Sequence, residues 1–114
     1  MKGPLPDKLR VEHVLDAIAE VGKYLTNVSF DEFLANSEKR FATIKQIEII
    51  GEACSRITNE LKQAHPEIEW KSIKGFRNIS IHEYFDMNYD IIWEIITNDL
   101  PVLKQQFSEI LKEL

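Results

Sequence analysis

The chain has 114 residues, 44% hydrophobic, with 14 Lys+Arg against 19 Asp+Glu and a formal charge of −5. This fits one domain, residues 1–114, that buries its own core, and it excludes a disordered chain. The acidity counts against broad electrostatic binding to nucleic acid, so any such chemistry rests on a few placed cations or on a partner.

Residues 1–6, with Gly3, Pro4 and Pro6, read as a loose lead-in. Asp7 is positioned to cap the helix that follows. Apolar residues at Leu9, Val11, Val14, Leu15, Ile18, Gly22 and Leu25 predict an amphipathic helix over 7–26. Asp16, Glu20 and Lys23 lie off that stripe. Ser29 and Glu32 have capping-box spacing and start a short helix, Phe30 to Ala35, that docks Phe30, Phe33 and Leu34. Asn36-Ser37 ends it and caps the next.

The next predicted helix is long, Glu38 to Ala64, with Phe41, Ile44, Ile47, Ile50, Ala53, Cys54, Ile57, Leu61 and Ala64 along its stripe. Ile49 widens that surface. Gly51 inside it costs about 1 kcal/mol relative to alanine, and close approach of another helix is a reason to accept that cost. His65-Pro66 stops the helix. A fourth helix is expected over 68–84, with Trp70, Ile73, Phe76 and Ser80 inward. A fifth uses Ile91, Ile92, Ile95 and Ile96, with Trp93 near its edge. Asp99 before Pro101 reads as a fresh N-cap or as a kink. Leu103, Phe107, Ile110 and Leu111 stripe the last segment. No period-two strand pattern appears, so the expected fold is all-α, an up-and-down bundle of about five helices.

Cys54, the single cysteine, excludes an intrachain disulfide and suits a reducing compartment. No secretory leader and no bilayer-length apolar run is visible, so a cytoplasmic location is expected. No Glu has a His three residues later, and no Cys/His spacing suggests zinc, so neither metal nor cofactor is expected. Glu48 and Glu52 share a helix face, but read as solvated or partner-paired carboxylates. His13 reads as a boundary residue, and His65 as a helix-end cap.

The stretch Gly75 to Tyr84 gathers Arg77, Asn78, His82 and Tyr84. On a straight helix Asn78 and His82 share a face, whereas Arg77 and His82 lie about 140° apart. They could line two walls of one groove, the helix could loosen near His82, or two copies could meet across a two-fold axis. The chemistry that suits the set is phosphoryl transfer without metal. An imidazole near neutrality moves protons at an RNA 2′-hydroxyl and a leaving 5′-oxygen, while a guanidinium holds the phosphate. The plainer alternative has Arg77 paired with a helix carboxylate and His82 capping a helix end.

The run Arg77-Asn78-x-x-x-His82-x-Tyr84 resembles the signature of the HEPN superfamily, and its His-x-Tyr ending resembles the HepT-like toxin branch. Ile47 to Ala53, Pro66 to Trp70 and Asp99-Leu100-Pro101 resemble that family in order and separation, so the likeness covers most of the chain. It implies a helical homodimer with two motifs in one cleft, and a metal-independent ribonuclease toxin. Arg77 and His82 would be catalytic, Asn78 supporting, and the product a 2′,3′-cyclic phosphate on an RNA such as tRNA or mRNA. It also implies a minimal nucleotidyltransferase as antitoxin, able to transfer AMP to Tyr84. Other members of the superfamily act as binding modules, so a non-catalytic subunit that binds a nucleotidyltransferase or a nucleotide is the second reading.

Overall fold

A computed structural model describes residues 6–79 and 88–114, and every regular element in them is helical. Helix α1 spans Asp7–Tyr24 and buries Val11, Val14, Ala17, Ile18 and Val21. It stops where Asn27 takes a φ of 58°, a left-handed conformation that asparagine tolerates better than most residues. The amine of Lys39 then donates to the freed carbonyl of Tyr24 at 2.7 Å.

Helix α2, Phe30–Ala35, starts on the expected capping box. The Ser29 N–H donates to Glu32 Oε1 at 3.0 Å, and the Glu32 N–H donates to Ser29 Oγ at 3.1 Å. The Ser29 backbone and side-chain donors hold the Glu32 carboxyl below the usual range. Phe33 is buried, and its ring meets Trp93 at 5.2 Å, with Phe30 on the same indole at 5.4 Å. Leu34, expected to dock, is exposed.

The long helix expected over 38–64 is two helices. Helix α3 spans Ser37–Ser55 and helix α4 spans Asn59–Ala64. The cause is Thr58, whose hydroxyl caps α4 by accepting from the Leu61 N–H. Asp7 completes this corner. Its carboxylate accepts from the Thr58 N–H at 3.0 Å and from the Thr58 hydroxyl at 2.6 Å. Asp7 therefore does not cap its own helix, where Pro6 holds the N-cap position without a side-chain bond.

Helix α5 is only Trp70–Lys74. It tightens into a 3₁₀ turn over Gly75–Asn78, and Ile79 is extended. Helix α6, Tyr89–Glu94, runs through a π-helical stretch, Ile95–Asp99, into α7, Leu100–Glu113. Asp99 stands at the N-cap position of α7 with Pro101 in the first turn, as expected, but its side chain makes no capping bond. Pro101 has no N–H for the bond to the fourth preceding carbonyl, and the wider π turn accommodates that loss.

Helix α1 packs against α3 and α7, while α3 also receives α5 and the 3₁₀ turn. The core draws on all of them, including Ile44, Ile47, Ile50, Ile73, Phe76, Ile92, Leu103, Phe107 and Ile110. Ile91, expected in the core, is 57% exposed at the start of α6. No described helix is long and apolar enough to cross a membrane.

Candidate active site

Arg77 is positioned by what lies beneath it. Ile73 and Phe76 are buried, and the Trp70 indole meets Phe107 at 5.8 Å and donates to the His65 carbonyl at 2.9 Å. These anchors press the 3₁₀ turn onto α3 at Gly51. A Cβ on Gly51 would lie 2.8 Å from the Phe76 carbonyl carbon and 2.9 Å from its Cβ, and closer still to the Arg77 nitrogen. Real Cβ atoms do not approach other atoms so closely. The close approach expected at Gly51 is therefore present, made by the turn that carries Arg77.

The guanidinium of Arg77 stays at the surface. Its Nη2 lies 3.5 Å from Glu52 Oε2, with the Arg77 side chain 42% exposed. Glu52 Oε1 accepts from Arg56 Nε at 2.9 Å. One carboxylate thus bridges two guanidinium groups, and the plainer expectation of an Arg77 carboxylate partner holds in this state. Glu48 pairs with Lys45 at 3.3 Å. Glu52 and Arg56 form a local i, i+4 pair, whereas Glu52 reaches Arg77 only across elements.

Asn78 is exposed at the end of the 3₁₀ turn. His82 and Tyr84, like Ser80, lie outside the described residues. The straight helix expected over 68–84 is not present: it tightens at Gly75 and ends at Asn78. Arg77 therefore stands on a 3₁₀ turn followed by an extended residue. Gly75, with open space around it, marks where the helix changes pitch.

His13 is half-buried, as a boundary residue. His65 ends α4, and its ring sits between Glu67 and Glu113, each at 3.3 Å. No group of three or more metal-capable side chains occurs among the described residues. On the other side of α5, a cavity of about 420 Å³ is lined by Glu69, Ser72, Phe76, Asp99, Val102 and Gln106. Partial burial there, then nearby Glu94, raises the Asp99 carboxyl above its usual range.

An all-α fold that carries an Arg-Asn turn ahead of a His-x-Tyr sequence defines the class as a HEPN-type helical protein. The chain belongs to the ribonuclease HepT-like family, whose model matches residues 14–110. It is 34% identical over 102 residues to a protein of Thermococcus cleftensis named "Probable ribonuclease HepT", covering 90% of this chain and 93% of that one. A protein of Caldanaerobacter subterraneus subsp. tengcongensis, named a "Putative RNase", is 37% identical over 113 residues, covering 99% and 98% of the two chains. One of the same description from Methanocaldococcus jannaschii is 36% identical over 93 residues, covering 82% and 85%. No solved structure matches the chain.

Proposed function

We propose that the protein is a metal-independent endoribonuclease and the toxin of a toxin–antitoxin pair. One observation carries the reading. The Arg77 backbone is locked to α3 through Gly51, while its guanidinium faces solvent. That is how a phosphate-binding group is held ready without being buried. The family relation supports the ribonuclease class.

In this reading Arg77 holds the non-bridging oxygens of the scissile phosphate. His82 takes the proton of the 2′-hydroxyl, whose oxygen attacks phosphorus. The P–O5′ bond breaks, and the 5′-oxygen leaves with a proton from an imidazolium. The products are a 2′,3′-cyclic phosphate and a 5′-hydroxyl. A homodimer supplies two copies of Arg77 and His82 to one cleft, so one imidazole acts as base and the other as acid. Asn78 orients the phosphate or the ring. A cognate nucleotidyltransferase silences the site by joining AMP from ATP to the Tyr84 phenol oxygen, with pyrophosphate leaving. The added anion would sit beside the site's cations and block RNA.

The test is RNA cleavage by wild type and His82→Ala, with chelator present and unmodified mass confirmed. Cyclic-phosphate ends from wild type alone support the proposal. No cleavage of tRNA, rRNA or mRNA, with tight nucleotidyltransferase binding that tolerates His82→Ala, favours a non-catalytic partner-binding subunit. The Glu52–Arg77 ion pair gives that second reading its support, because it provides Arg77 with a purely structural partner.

A further inference from the structure

From Trp70 to His82 the sequence carries Lys71, Lys74 and Arg77 and no carboxylate, in a chain of net charge −5. Over residues 69–77 the structure sorts the side chains into three rows by a near three-residue repeat. Ile73 and Phe76 are buried, with Trp70 half-buried above them. Glu69 and Ser72 face the cavity beside α7. The remaining row is Lys71, Lys74 and Arg77, and all three are exposed. Arg77 fixes which way this row faces, because its backbone and guanidinium meet α3 at Gly51 and Glu52.

Most other exposed cations are spoken for. Lys23 pairs with Glu20, Lys45 with Glu48, Arg56 with Glu52 and Lys112 with Glu109. The half-buried Lys39 and Arg40 donate to backbone carbonyls, and exposed Lys8 and Lys104 stand singly, without an ion pair among the described residues. Among the described residues, Lys71 and Lys74 form no ion pair. Glu69, the nearest carboxylate in sequence, belongs to the cavity row instead. Two unpaired ammonium groups thus stand in line with Arg77, over roughly 9 to 12 Å at 1.5 to 2.0 Å of rise per residue. That length reaches more than one phosphate of a nucleic-acid backbone.

We propose that Lys71 and Lys74 extend Arg77 into a phosphate-binding row that guides a single RNA strand along α5 to the cleavage site. This rests on the ribonuclease reading and adds the path of the substrate to it. It also explains how an acidic protein holds RNA: the cations are gathered on one row rather than spread over the surface.

The experiment titrates a labelled, uncleavable 2′-O-methyl RNA strand onto the full chain across a salt series. Wild type, Lys71→Gln/Lys74→Gln and Lys104→Gln are compared, after equal melting temperatures are confirmed; Lys104 is an exposed lysine on α7. The double variant should bind about tenfold more weakly near 100 mM salt. Its log K against log salt slope should be shallower by about 1.4, from about 0.7 per phosphate contact on single strands. Lys104→Gln should match wild type. On cleavable RNA the double variant should raise KM and leave kcat in place. Equal binding and slope for double variant and wild type would overturn the row while leaving the nuclease reading intact. Lysine-dependent binding without cleavage by wild type would keep the row and overturn the nuclease. Unchanged RNA binding with weakened nucleotidyltransferase binding would assign the row to a protein partner and overturn the proposal.

Discussion

Gly51 and Arg77 meet backbone to backbone, with no room for a side chain between them. Any residue larger than glycine must push the 3₁₀ turn away from α3. Alanine gains about 1 kcal/mol of helix propensity, but overpacking against backbone costs about 1–3 kcal/mol. Gly51→Ala should therefore lose about 1 kcal/mol net, and Gly51→Val more, in urea unfolding. RNA cleavage should fall further than stability explains, because Arg77 moves. A Gly51→Ala protein as stable as wild type, with full cleavage, would sink the account of why glycine stands there.

Glu52 holds Arg77 and Arg56 at once. All three side chains are well exposed, so the ion pairs should matter little for stability, within about 0.5 kcal/mol. Glu52→Gln should leave unfolding nearly unchanged. It removes a negative charge beside the guanidinium, and should tighten RNA binding about two- to threefold at low salt. Weaker binding in the variant would mean that the carboxylate holds Arg77 in its binding pose.

The Asp7–Thr58 corner makes two hydrogen bonds to one carboxylate. Bonds of this type contribute on the order of 1 kcal/mol when partly solvated. Asp7→Ala and Thr58→Ala should each destabilise, and a double-mutant cycle should return a coupling of about 1 kcal/mol. Additive losses would show that the corner is held by packing of Ile57 instead.

Burial pushes the Cys54 thiol from an ordinary 9.0 up to about 12. The folded chain then keeps its proton where the unfolded chain loses it. Between pH 9 and 12 the unfolded state binds fewer protons, so stability falls as pH rises through 9. By pH 10 the loss should be about 1.4 kcal/mol. Urea unfolding of wild type and Cys54→Ala between pH 8 and 10 checks this, since only the wild type should show that fall from residue 54. Parallel pH profiles would refute it.

Local chemistry made much of the fold legible. The Ser29–Glu32 box and the stripe of α1 were readable because their partners lie within a few residues. The break after Ser55 was not: the continuous apolar stripe hid the Thr58 cap, and the carboxylate that braces Thr58 sits 51 residues away. The end of the helix at Asn78 escaped for a related reason: the 3₁₀ turn lies against Gly51 of another element. Ile91 followed the apolar pattern, yet its place at the start of α6 leaves it outside. For the site, Arg77 stood out by its company in sequence. Its link to Glu52 required the fold.

Ile95 and Leu100 are both buried although five residues separate them. In an α-helix that spacing would turn them about 140° apart; the π stretch brings both to the core. The continuous rod from Tyr89 to Glu113 therefore contains one residue more than its two faces need. Loss of an exposed residue such as Thr97 would restore a four-residue step and keep both faces aligned, but it would also set Pro101 inside a regular α-helix without the π turn that now accommodates it, at a cost of about 3 kcal/mol; the extra residue is thus what lets proline stand within an unbroken rod.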